Sequence, residues 1–244
     1  MNTFVDLLIN HRSVRKYKDV ELTQEQTDSI ISSAQAASTS SNVQAYSIII
    51  VTDPEIKKEL ARLSGNQPQV EHSGLFLVFC GDLNRLKEAT ELHGEMFHHN
   101  TGNFIVATID ASLAAQNAAV AAEAMGLGIC YIGGIRNNIQ EVSELLHLPS
   151  LVYPVFGMAI GVPDEVNQLR PRLPVKAVVH LNAYDTDQAS KGIQEYDEIM
   201  HEYYKERTQG KLLTDWSKGI AEKYSQPQRA HILPFLEAQG FRLK

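Results

Sequence analysis

Near the N-terminus, His11-Arg12-Ser13-Val14-Arg15 places two guanidiniums, an imidazole and a hydroxyl within five residues. Forked donors of this kind grip phosphate oxygens bidentately, and a serine adds a neutral donor. On composition alone, the run reads better as a solvated basic turn after a helix. Three further stretches carry matching chemistry: Ser38-Thr39-Ser40-Ser41-Asn42, Tyr131-Ile132-Gly133-Gly134 and Arg170-Pro171-Arg172. The first is a donor-rich loop able to touch a ligand, or simply a polar loop. In the second, paired glycines after an apolar strand let backbone N–H groups approach a ligand with no Cβ in the way, although an ordinary turn has the same composition. In the third, a proline holds two arginines apart on a stiff, extended segment from which both can reach one anion. The four pieces share one demand, a flat polar ligand carrying a phosphate.

Other chemistries lack their signatures. Neither a dinucleotide GxGxxG nor a Walker P-loop is present. No cysteine or serine has a signature base, and no carboxylate pair stands out, as expected where a cofactor carries the chemistry. His93, His98 and His99 contain no i, i+4 pair, and Glu95 does not complete a zinc helix, so they read as solvated or lid histidines and no metal is expected.

The elements that must position these groups follow from periodicity and punctuation. With 244 residues the chain is long enough for a full core, as one domain or one with an appendage. Its formal charge of −7 makes a nucleic-acid backbone an unsuitable partner, so local arginine clusters point to a small anionic ligand. Cys80 and Cys130 each lie in an apolar run and read as buried free thiols of a reducing compartment. The N-terminus has no signal-peptide core, and no apolar run approaches membrane-spanning length, so a soluble cytoplasmic protein is expected.

A short apolar helix over Phe4–Ile9 leads into the first basic run. Thr23 and Gln26 form a capping box for a helix to Ala37. Strands are expected over Ser47–Val51, Leu75–Cys80, Ile129–Ile132 and Val155–Ile160, with a last short one at Val178-Val179. Asp53 and Pro54 open a helix to Leu63, and Arg85–His99 and Ile139–Leu148 read as helical. The longest helix, Phe104–Met125, is rich in alanine and suits the core or a subunit interface, with Gly126 and Gly128 ending it. From Asp187 onward the chain is helical and polar over Gln188–Arg207, Asp215–Tyr224 and Gln228–Gln239, too polar to fold alone.

Taken together, the pieces resemble the oxygen-insensitive nitroreductase and flavin reductase family, in its NADPH-linked major nitroreductase subgroup. The resemblance covers essentially the whole chain. It is carried by HRSVRKY, by AQNAAVAAEAMGLG followed by YIGGIRNN, by RPRLP and by the C-terminal ILPFLEAQG, in that order and spacing. It implies an α+β nitroreductase-like fold: a central, mostly antiparallel sheet flanked by helices, in residues 1–244 as a single domain. An FMN-binding body over 1–185 and a C-terminal helical arm over 186–244 would interlock in a homodimer.

By the same resemblance, His11, Ser13, Arg170 and Arg172 are phosphate ligands, and Arg12 belongs to the same segment. Arg15 and Gln67 bond the pyrimidine side of the flavin, and Thr39 and Ser41 contact the flavin of the partner subunit. Tyr131, Gly133 and Gly134 line the ring, with a backbone N–H near N5. Thr39 stands where relatives carry serine and Arg170 where they carry lysine, both keeping the donor type. NADPH would be recognised by Arg207, with Arg229 as a second candidate. A further arginine of the relatives has no counterpart, its place falling near Lys211 or Leu212. The implied reaction is ping-pong, two-electron hydride transfer from NADPH through FMN to nitroaromatics, quinones or flavins. Alternatives are an NADPH-dependent FMN reductase with incidental nitro reduction, or a flavin-binding protein without turnover. Neither nucleic acid nor membrane is an expected partner.

Overall fold

In the computed structural model, which describes residues 3–243, four strands form one antiparallel sheet. They are β1 (Tyr46–Val51), β2 (Leu75–Asp82), β3 (Gly128–Ile132) and β4 (Val152–Gly161), in the order β1-β2-β4-β3. The helices are α1 (Thr3–Ile9), α2 (Gln24–Gln35), α3 (Pro54–Leu63), α4 (Pro68–Glu71), α5 (Asn84–Glu91), α6 (Thr101–Ala124), α7 (Ile139–Leu145), α8 (Val175–Val178), α9 (Thr186–Arg207), α10 (Trp216–Tyr224) and α11 (Ile232–Ala238). The α+β class and the antiparallel sheet agree with the sequence reading.

The chain divides into two compact units, one of Met1–Asn167 with His231–Lys244, the other of Gln168–Ala230. In the first, β2 is buried along its whole length. Leu75, Leu77 and Phe79 pack with the α6 alanines, while Phe76, Val78 and Cys80 pack with residues of α3 and with Val142 of α7. Burial on both faces explains why β2 is a continuous apolar run rather than an alternating one. β4 carries Pro154 opposite Cys80, where the β2–β4 register shifts, and such an irregularity accommodates a residue without an N–H.

The caps are where the sequence put them: Thr23 and Gln26 bond reciprocally, and the Asp53 carboxylate accepts from the Glu55 and Ile56 amides. Several boundaries differ. Val178-Val179 is not a strand. Pro174 opens the single turn α8 instead, and the Gln188 side chain donates to the Val179 carbonyl at 3.0 Å, taking the acceptor a strand neighbour would need. The expected Arg85–His99 helix stops at Glu91; beyond it His99 Nε2 lies 2.8 Å from the Gly240 carbonyl and its ring stacks on Phe97. Gly126, at φ +77°, leaves the helix in the left-handed conformation, but Gly128 is the first residue of β3 rather than part of the stop.

One expectation fails on composition. α6 is long and apolar enough to cross a membrane by those two criteria. Its apolarity is largely alanine, and Ala107, Ala111, Ala114, Ala115, Ala118, Ala119 and Ala122 are buried against α2 and the sheet. It is the core helix of the first unit.

Candidate functional site

After α1, the first basic run lies beside the edge strand β3. Ser13 bridges Ile129 in the parallel sense, and the Val14 amide donates to the Ile129 carbonyl at 2.9 Å. Val14 is buried where a Cβ on Gly128 would stand only 2.6 Å from its Cγ2. In extended chain alternate side chains take opposite faces. Ser13 and the exposed Arg15 therefore oppose Val14, whereas Arg12 shares its side; Arg12 Nε is buried without a hydrogen-bond partner among the described residues.

The backbone of this run is fastened by two residues that the sequence reading did not single out. The Glu165 carboxylate accepts from the Arg15 amide at 2.8 Å and the Lys16 amide at 3.2 Å. Asn167 Nδ2 donates to the same carboxylate and to the Ser13 carbonyl, both at 2.9 Å. The bond from the Arg15 amide, foremost, holds the Glu165 carboxyl below the usual carboxylate range. Tyr17 adds a hydroxyl bond of 2.7 Å to the Val14 carbonyl. With the main chain so engaged, the Ser13 side chain is left to serve a ligand, while the His11 ring is bonded at Nδ1 to Glu123 at 2.6 Å and keeps its other edge open. Arg15 reaches back to β3, where burial pushes the Cys130 thiol up and the Arg15 guanidinium partly offsets it.

Further along β3, the Tyr131 hydroxyl donates to Gln116 at 3.3 Å and its ring meets Phe156 edge-on. Burial, with the charge of Glu123 adding to it, pushes the phenol up to about 12. The strand then turns into a short 3₁₀ segment, Gly133–Arg136. The two glycines differ. A Cβ on Gly134 would lie 2.2 Å from the Ser64 carbonyl oxygen and 2.3 Å from Gln67 Nε2, so that glycine is required by the protein's own packing. A Cβ on Gly133 would find only Arg136 Nη2 at 3.5 Å, leaving an open, Cβ-free surface. Gln67 donates to the Ser64 carbonyl at 2.8 Å and accepts from Gln69 at 2.7 Å, so its amide keeps one N–H and one lone pair.

Thr39 and Ser41 belong to a separate loop, 39–45. Ser41, Asn42 and Gln44 adopt positive φ values of 47°, 58° and 51°, a costly set for side-chain-bearing residues. What fixes the loop is Asp110 on α6, fully buried, which accepts from the Ser40 amide at 3.1 Å and the Ala45 amide at 3.0 Å. An acid in the middle of an alanine-rich apolar helix was the sequence signal for such a role.

Within the second unit, Arg170 and Arg172 are exposed on the irregular segment before α8, and the Tyr196 hydroxyl donates to the intervening Pro171 carbonyl at 2.8 Å. Burial raises the Tyr196 phenol, and both guanidiniums oppose the rise. Arg207, near the end of α9, lies 5.9 Å from the Tyr203 ring centroid. Glu202 is engaged by Lys205 at 3.1 Å rather than by Arg207. Arg229 lies in the α10–α11 connection with φ +49°.

Thus His11, Arg12, Ser13, Arg15, Gln67, Tyr131, Gly133 and Gly134 gather along one edge strand, while Thr39 and Ser41 sit on their own loop. A cleft of about 990 Å³ between α7 and α11 contains none of them. Cationic and hydroxyl donors at one end, and a Cβ-free turn at the other, suit a ligand with a phosphate tail and a planar head.

The chain belongs to the nitroreductase family: residues 8–162 match the Nitroreductase family and residues 170–244 its C-terminal domain. It is 48% identical to the FMN reductase (NADPH) of Bacillus subtilis, over 99% of both chains. It is 42% identical to the NADPH-flavin oxidoreductase of Vibrio harveyi, over 98% of both. Among solved structures, B. megaterium NfrA1 superposes with a TM-score of 0.96 at 48% identity, covering 98% of this chain and 99% of that one.

Proposed function

We propose that the protein is an FMN-dependent NADPH oxidoreductase that reduces flavins, nitroaromatics or quinones in two-electron steps. The observation that carries this is the row of ligand-ready groups along β3, from Ser13 beside Ile129 to the open turn at Gly133. Four residues of strand separate the two ends, about 13 Å at the usual rise. When bound, FMN supplies hydride acceptance and donation at its ring.

The chain's own residues bind and orient. His11 and Ser13 hold the phosphate, and Arg12 contributes from the same segment; Arg170 and Arg172 of the second unit are phosphate ligands by the family resemblance alone. Arg15 sets a fixed positive charge beside the pyrimidine edge, where charge gathers on reduction, and Gln67 spends its remaining N–H there. Tyr131, Gly133 and Gly134 line the ring. Arg207, with Arg229, recognises the NADPH 2′-phosphate. Buried free thiols at Cys80 and Cys130 fit a reducing, cytoplasmic setting.

The enzyme is a homodimer in this reading, with Thr39 and Ser41 reaching the partner's flavin. Ile105, Ile109 and Leu113 form an exposed i, i+4, i+8 stripe on α6, and Phe4, Leu8 and Ile9 are exposed on α1, which packs against α6. Apolar rows of this size are costly in water and call for a covering surface. Sedimentation giving an active monomer would refute that part.

A second reading, a flavin reductase whose acceptor is free FMN, is favoured by the names of the relatives from B. subtilis and V. harveyi. An anaerobic acceptor panel with NADPH separates the two. Comparable kcat/KM for nitroaromatics and quinones supports the broad activity, and turnover confined to free flavin supports the narrower one. Absence of NADPH oxidation with every acceptor would refute both.

A further inference from the structure

Glu123 is the penultimate residue of α6, and the last turn of that helix carries no basic side chain. A carboxylate there faces the negative end of the helix dipole, an unfavourable position unless a cation stands close. The group that stands close is His11, whose Nδ1 lies 2.6 Å from Glu123 Oε1. Glu123 is 13% exposed and the His11 side chain 29%, so the pair is sheltered while the imidazole keeps an open edge. A carboxylate accepts, so Nδ1 is the donor, and any further bond of the ring must be made at Nε2 on the opposite edge. Ser13, two residues on, is held at β3 by Ile129 and Asn167.

We propose that Glu123 is the positioning residue for the cofactor phosphate: it fixes the His11 ring so that Nε2 donates to a phosphate oxygen. The proposal rests on the FMN reading above and deepens it. In this arrangement the ring acts as an imidazolium, the form that donates at both nitrogens, bridging a sheltered acid and a ligand anion; the carboxylate orients it as carboxylates orient metal-binding histidines through the second nitrogen.

The test compares two flavins that differ only in the phosphate. Dissociation constants for FMN and riboflavin are measured by flavin fluorescence on full-length protein freed of cofactor, for wild type, Glu123→Ala, Glu123→Gln, His11→Ala and the His11→Ala/Glu123→Ala double variant. The wild type should prefer FMN. Glu123→Ala should lower that preference roughly 10- to 100-fold, the scale of a charge-assisted hydrogen bond, and leave riboflavin affinity unchanged. Glu123→Gln, which can still accept from Nδ1 but brings no charge, should lose less. In the His11→Ala background the Glu123 substitution should have no further effect. Riboflavin binding reports whether each variant is folded. A preference unchanged in both Glu123 variants, or an equal loss for both flavins, overturns the proposal while leaving the FMN reading intact. So does the same loss in the His11→Ala background. A wild type with no preference for FMN overturns the phosphate reading and the proposal with it.

Discussion

Gly133 and Gly134 are adjacent and chemically identical, yet alanine should act on them in opposite ways. At 134 a methyl group would stand 2.2 Å from the Ser64 carbonyl oxygen, a backbone atom that cannot swing aside, and 2.3 Å from Gln67 Nε2. Overpacking of that kind costs about 1–3 kcal/mol. For a chain of this size that is a fall in Tm of roughly 2–12 °C. At 133 the nearest atom is 3.5 Å away, an ordinary contact, and the backbone lies outside the left-handed region. Alanine there should be tolerated, with a gain of about 0.4–1 kcal/mol from reduced freedom of the unfolded chain. The same methyl group would occupy the open surface assigned to the flavin ring, so FMN affinity should fall roughly 5- to 100-fold, again on an overpacking scale of 1–3 kcal/mol. The assay is thermal unfolding of cofactor-free protein together with FMN titration. Gly133→Ala with wild-type FMN affinity would refute the placement of the ring at this turn. Gly134→Ala with an unchanged Tm would refute the packing account of that glycine.

Glu165 holds the main chain of the run proposed to bind the phosphate, and its carboxyl sits below the ordinary value of 4.5. A depressed folded-state pKa contributes stability above the unfolded value that is lost as pH falls through the folded one. FMN retention should therefore decline below about pH 4.5, and Glu165→Gln should show weaker binding at neutral pH with a flatter acid limb; an unaltered acid limb would sink the assignment. Arg172→Ala should weaken FMN binding by a charged contact of about 1.5–3 kcal/mol, whereas exposed Lys58→Ala should not, and equal affinities would remove the phosphate role. Lys57 is unsuitable as the neutral control, because its ammonium donates to the Ser73 carbonyl at 2.5 Å and burial lowers its pKa. Arg207→Ala should raise the KM for NADPH by the same 1.5–3 kcal/mol and spare NADH; equal losses with both nucleotides would point to general damage to α9.

The sequence was most legible where one residue decides a local outcome. Thr23 with Gln26, and Asp53 with Pro54, set helix starts that the structure reproduces, and the runs at β1, β2 and β3 were read within one or two residues. It misled where tertiary partners decide: Val178-Val179 has strand composition, yet Pro174 and the Gln188 side chain make it a turn. Of the candidate site, the donors were readable because Arg, Ser and Gly in short runs carry their chemistry locally. What holds them was not. Glu165 and Asn167 act on a run about 150 residues earlier, and Glu123 on one 112 residues earlier, with no local pattern to announce either. The sequence reads Gly134 as a ligand-facing glycine; that the Ser64–Gln67 loop also requires a glycine there needs the neighbouring backbone in place.

The central claim, that this chain passes electrons from NADPH through a bound FMN, is tested most directly by the reductive half-reaction. FMN-loaded protein is mixed with NADPH in the absence of oxygen and acceptor while the flavin absorbance near 450 nm is followed. The account predicts complete bleaching at one equivalent of NADPH per flavin, and recovery of the yellow form when an acceptor is added. A protein that holds FMN but stays yellow under excess NADPH would contradict it, leaving a flavin-binding protein without turnover.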